Sequence, residues 1–69
     1  MSKFQLFDIP VGSKLHIMMD NNSKKVFTFH RLDGHYSYCT LDEDPSKVLH
    51  LSAITPLENF DDGYKILGD

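Results

Sequence analysis

The dipeptide Asp33-Gly34 separates two runs, Lys25 to Leu32 and His35 to Leu41, that are both rich in β-branched and aromatic residues. Asp-Gly in that setting is the strongest short-range hairpin signal, because a type I′ turn needs positive φ at both central residues. With Asp33 and Gly34 as the central pair, Leu32 faces His35, Arg31 faces Tyr36 and Phe29 faces Tyr38. One face of the hairpin then carries Phe27, Phe29, Tyr36 and Tyr38, with Arg31 at its end. The other carries Val26, Thr28, His30, Leu32, His35, Ser37, Cys39 and Leu41. A one-residue change in the turn would reverse the faces of one strand.

The rest of the chain repeats the same grammar. Leu15, Ile17 and Met19 alternate with His16 and Met18 before Asp20-Asn21-Asn22-Ser23, a loop by composition. Asp42-Glu43-Asp44-Pro45-Ser46 reads as an acidic turn, and Val48 to Ala53 as a further strand with Leu49, Leu51 and Ala53 on one face. Ile54-Thr55-Pro56-Leu57 suits a 3₁₀ turn. Tyr64 to Leu67 supplies a last strand that seals an edge, with Lys65 as the charge that discourages strand addition. Five short strands with little helix in 69 residues predict one all-β domain, a small closed or nearly closed barrel. Its expected core is Leu15, Ile17, Phe27, Phe29, Tyr38, Leu49, Leu51 and Ile66. A chain of this size buries only about 60% of the surface its unfolded form exposes, so it needs most of its large apolar groups for that core.

The stretch Phe7-Asp8-Ile9-Pro10-Val11-Gly12-Ser13-Lys14-Leu15 resembles the F-x-D-[LI]-P-V-G-[ST]-x-[FL] opening of small proteins from bacteriophages and mobile elements. The resemblance continues through Val26-Phe27-Thr28-Phe29-His30, the tyrosine-bearing segment Asp33 to Cys39, and Thr55-Pro56-Leu57-Glu58. It covers residues 4 to 58 and implies an SH3-like barrel acting as a phage accessory protein. Members of that group carry basic residues where this chain has His30 and Asp33, and the resemblance brings no catalytic residues with it.

Charge narrows the function classes. Seven Lys and Arg against ten Asp and Glu leave a formal charge of −3, and the only adjacent basic pair is Lys24-Lys25. Binding nucleic acid through phosphates needs a basic stripe, so that class is disfavoured; Tyr36, Arg31, Lys24 and Lys25 would have to carry it. Four histidines would take −3 to +1 if all were protonated, so charge is pH-sensitive. Cys39 is the only cysteine, which excludes an intramolecular disulfide and any cysteine framework for zinc. No apolar run approaches the roughly 20 residues that span a bilayer, and the opening lacks a signal-peptide core. The expected setting is cytoplasmic, that of the host cell if the chain is phage-encoded.

Candidate sites follow from faces. His30, His35 and Cys39 on one hairpin face, with His50, would be a metal set, but their spacing matches no ligand motif. Cys39 as a nucleophile would need a histidine, oxyanion donors and a pocket. A solvated polar face and a small buried thiol are the plainer readings, so no metal, cofactor or catalytic residue is expected. Tyr36 and Arg31, at the end of the hairpin, are typical contact anchors. His16, Met18, Val48 and His50 point away from the core faces and would form a second contact patch if their strands lay side by side. The expected function is therefore a non-enzymatic module that binds a host or phage protein and modulates or inhibits it. A small nucleic-acid-binding barrel, a minor virion component and a homodimer are the other possibilities weighed.

Overall fold

A computed structural model describes residues 3–19 and 23–67, the side chains of Lys3 and Phe60 excepted. Asp20, Asn21 and Asn22, assigned above to a loop, lie outside the described residues. Seven strands form among those described: β1 (Lys3–Gln5), β2 (Lys14–Met18), β3 (Lys24–Asp33), β4 (Tyr36–Leu41), β5 (Asp44–Leu49), β6 (Pro56–Phe60) and β7 (Gly63–Ile66). A 3₁₀ turn, Leu6–Asp8, follows β1. The chain is all-β, as its alternation predicts.

The strands make a single sheet in the order β1-β6-β7-β2-β3-β4-β5, antiparallel throughout except for the parallel β2–β7 pair. This departs from the expected five-stranded barrel: there are two more strands, and the outer strands β1 and β5 do not pair with each other. β1 and β6 are the additions, each being the other's partner (Phe4 opposite Leu57, Gln5 opposite Pro56). Pro56 is the first residue of its strand, where a missing N–H is tolerated, so the expected 3₁₀ turn over Ile54–Leu57 gives way to strand. β7 does not seal an edge but lies inside the sheet, between β6 and β2.

β5 also begins and ends earlier than expected. It runs through the acidic segment and Pro45, and its register against β4 jumps from Leu41 opposite Asp44 to Thr40 opposite Val48. Pro45 falls in that gap on an edge strand, where its missing N–H costs no ladder bond. The rest of the expected strand, Leu51 to Ala53, stays beside β4 as a single antiparallel bridge, Ser52 opposite Tyr36, in the register of Leu49 and Cys39, and crosses from there to the turn after β1. Ser37 N–H donates to Leu51 O (2.7 Å) and Ala53 N–H to His35 O (2.8 Å), while Phe7 N–H donates to Ala53 O (3.0 Å) and Leu6 N–H to Thr55 O (3.0 Å). The segment thereby stitches the start of β4 to the turn that follows β1.

Leu6, Ile9, Leu15, Phe27, Phe29, Cys39, Leu41 and Leu57 form the buried core, with Ile17, Leu49, Leu51, Ile66, Phe4 and Tyr64 packed against it. Seven of the eight expected core residues are therefore in place, and Tyr38 is not. Gly63 opens β7 at φ +143°, and a Cβ there would stand 2.7 Å from Lys14 O. Only glycine lets the parallel strand approach β2 so closely.

Candidate interaction surface

The hairpin turn lies one residue later than expected. Gly34, at φ +68°, and His35 are its central pair, and Asp33 faces Tyr36. Leu32 then faces Ser37 and Arg31 faces Tyr38, but beyond that the pairing shifts to Phe29 opposite Cys39, Thr28 opposite Thr40 and Phe27 opposite Leu41. One residue of β3, His30, is extra. It forms a β-bulge, in which two residues of one strand oppose one of its partner.

The bulge decides which side chains meet water. In an unbroken strand Arg31 would follow Phe27 and Phe29 onto the core face. The extra residue turns it to the opposite, outer face, and β4 is turned over relative to the expected pairing. Ser37, Cys39 and Leu41 are buried beside Phe27 and Phe29, and Tyr36, Tyr38 and Thr40 point outward. Tyr38, the displaced core residue, becomes the centre of an outer cluster. The Arg31 guanidinium carbon lies 4.6 Å from the Tyr38 ring centroid. The His30 ring is 5.5 Å from that centroid, and the His50 ring is stacked at 6.0 Å with an interplanar angle of 29°.

Hydrogen bonds hold the flanking rings. His30 Nε2 bonds Thr40 Oγ1 at 2.7 Å, and His50 Nδ1 donates to Ser37 O at 2.9 Å. Tyr36 stands next to the cluster with 57% of its surface exposed, and Val48 lies opposite Thr40 on the edge strand. Cationic and aromatic groups thus share one solvated face, where a cation over a tyrosine contributes about 0.5–1 kcal/mol.

Arg31, Tyr36, Val48 and His50 are therefore brought to one side of the sheet, although Arg31 is paired with Tyr38 rather than with Tyr36. His16 and Met18 are not part of that group. They lie on β2, opposite Val26 and Lys24, and β3 and β4 intervene before β5, about 14 Å of sheet at the usual strand spacing. The expected patch of His16, Met18, Val48 and His50 is split for that reason. His16 is half-buried and its Nε2 lies 3.3 Å from Asp62 O, while Met18 is exposed.

Sequence reasoning missed His30, Tyr38 and Thr40 as members of the surface. The available signal was Arg31 itself, a charge falling at a core-facing position of an otherwise regular alternation.

The other expected constellations come apart. Cys39 is fully buried on the face opposite His30, and His35 is in the turn. Burial pushes the Cys39 thiol up, against a smaller opposing effect of its bond to Ser37. No three His, Cys, Asp or Glu among the described residues are placed to hold a metal ion. Lys24 and Lys25 start β3 while Arg31 is near its end, roughly 20 Å away at about 3.3 Å per residue, and Lys25 is paired with Glu43 at 2.6 Å. Beside that pair, Asp42 accepts a hydrogen bond from the Thr28 hydroxyl and one from Lys14 Nζ (2.9 Å). Those bonds, Thr28 first, hold its carboxyl below the usual aspartate range.

Fold and surface together define a class: a small all-β protein with one cation–aromatic outer face. Compared with known protein families, curated proteins and solved structures, the chain matches none. No helix among the described residues is long and apolar enough to cross a membrane.

Proposed function

We propose that the protein is a non-enzymatic interaction module that docks a partner protein on the outer face formed by Arg31, Tyr36 and Tyr38, with His30, His50 and Val48 around them. The observation that carries this reading is the Arg31–Tyr38 pair held open to solvent beside an exposed Tyr36. Tyrosine and arginine are the residue types that most often dominate binding energy at interfaces. Charge suggests the partner's chemistry. The chain is acidic overall, yet on this face Arg31 makes no ion pair with a described residue, while the Asp42 carboxylate at its Thr28 margin is already taken by Lys14, and complementarity favours an acidic partner surface.

In the same reading the protein is a phage-type accessory factor acting in the host cytoplasm, where docking modulates or blocks a host process. The opening from Asp8 to Gly12 supports that setting. The finer fold assignment, an SH3-like barrel, belongs to this proposal too. Its support is the crossing segment Leu51 to Ala53, which bridges the side that the sheet leaves open.

A pull-down at low and high salt, with wild type, Arg31→Ala, Tyr36→Ala and Met18→Ala run in parallel, tests the reading. A protein retained by wild type and Met18→Ala but lost from the other two supports it. Equal retention by all four, or recovery of nucleic acid alone at low salt, overturns it.

A further inference from the structure

Beside the outer face, with which it shares Val48, a groove of about 570 Å³ opens between Met19, just past the end of β2, and the edge strand β5. That is the size range, about 300–1,000 Å³, of small-molecule sites. Its floor is the core itself: Phe27, Leu41 and Leu49 line it, with Met19 and Val48 at its sides. β5 ends the sheet on this side, and apolar side chains of β3, β4 and β5 line the groove between it and Met19.

Four charged residues line the same groove: Lys25, Glu43, Asp44 and Lys47. Three of them are engaged within the protein. Lys25 is bonded to Glu43 at 2.6 Å. The Asp44 carboxylate accepts bonds from the Ser46 hydroxyl (2.7 Å) and the Ser46 N–H (3.3 Å). Lys47 makes no ion pair with any described residue. Its charge reaches Asp44 only weakly, as the last of the influences on that carboxylate.

The edge strand also limits what could lie along the groove. An added peptide strand needs backbone donors, but Pro45 has none and the Ser46 N–H is turned back to its own Asp44. Strand addition is thereby hindered at Pro45 and Ser46, which leaves apolar packing and a contact with a charged side chain as the groove's means of recognition.

We propose that this groove binds a small amphipathic carboxylate, its apolar chain on Phe27, Leu41 and Leu49 and its anionic end at Lys47. A charge-assisted contact of that kind distinguishes the carboxylate from a neutral or cationic analogue of the same chain.

The test is an amide NMR titration of the full chain with sodium decanoate below its micellar concentration, with decan-1-ol and decylammonium as charge controls. Saturable decanoate shifts at the amides of Phe27, Leu41 and Leu49 are expected, with affinity about tenfold above that for decylammonium. In Lys47→Met the advantage of decanoate over decan-1-ol should disappear while decan-1-ol still binds. Lys47 is exposed, so the variant keeps the fold. No saturable response to any probe, equal affinity for all three, or a carboxylate preference that survives in Lys47→Met would each overturn the proposal. So would shifts led by the exposed Phe7, Val11 and Ile54, which would mean adsorption to apolar surface.

Discussion

Ser37 is fully buried, and every polar group it carries is engaged. Its N–H donates to Leu51 O, its hydroxyl accepts from Leu51 N–H at 3.0 Å and lies 3.4 Å from the Cys39 sulfur, and its carbonyl takes His50 Nδ1. One small residue thus anchors the crossing segment on the inside and the outer cluster through His50. Ser37→Ala leaves the Leu51 N–H without its hydroxyl acceptor and should cost about 1–3 kcal/mol in urea unfolding. A loss below about 0.5 kcal/mol would show that water takes the place of the hydroxyl.

Asp42 sets a pH dependence at the same scale. Its carboxyl titrates lower in the folded chain than in the unfolded one, because Thr28 and Lys14 bond its charged form. The stability it contributes is therefore present above the ordinary aspartate value, about 3.9, and is lost as pH falls through the lowered folded value. Asp44, held by Ser46, acts in the same sense. Asp42→Asn should flatten part of the acid limb of an unfolding curve and leave its neutral plateau with a reduced but pH-independent stability. An acid limb unchanged from wild type would contradict this account.

At the scale of elements, β3 owes its two-faced chemistry to a count of residues rather than to their types. Inserting one residue between Tyr38 and Cys39 would give His30 a partner on β4, restore strict alternation and aim Arg31 at the core face, where an unpaired charge costs several kcal/mol. The insertion should abolish cooperative unfolding, or force a new register visible as lost near-ultraviolet dichroism. His30→Ala keeps the count and should unfold within about 1 kcal/mol of wild type. If the insertion variant proved as stable as wild type, the bulge would not be what orients Arg31.

The same feature explains where the sequence stopped being legible. Alternation located β2, β3, β4 and β7, and Asp33-Gly34 located the hairpin. Leu15, Ile17, Phe27, Phe29, Leu49, Leu51 and Ile66 went to the core as their periodicity requires. Register was not legible, because it turned on one bulged residue and a turn displaced by one position, and so Tyr38 was placed inside. β1 and β6 were missed because each is short and takes its strand character from non-local partners, β1 from β6 and β6 from both β1 and β7. Of the candidate surface, Arg31 and Tyr36 were recognisable as contact types. That His50 and Val48 would join them, and His16 and Met18 would not, depended on a strand order no local pattern encodes.

For the whole molecule, the sheet's middle and its margins should differ in stability. β2, β3 and β4 supply most of the fully buried side chains, while β5 ends the sheet with its register broken at Pro45. Amide hydrogen exchange should be slowest at Leu15, Phe27, Phe29 and Cys39, and fastest among strand residues at Lys47 and Val48. That gradient follows from local opening at edges with few buried contacts. Uniform protection across all strands would mean that the molecule opens only as a unit.

The strand order has a further consequence, in time rather than in space. β1 and β2 come first from the ribosome, yet neither lies beside the other; the β6–β7 hairpin fills the place between them. The pieces made first wait for the pieces made last. A nascent chain arrested before Tyr64 should stay open to protease, and should become resistant only once Ile66 is free to pair with Leu57. Non-local pairing of this kind is slow to form, so the sheet should close only after β7 has been made, whatever the pace at which β1 and β2 emerge.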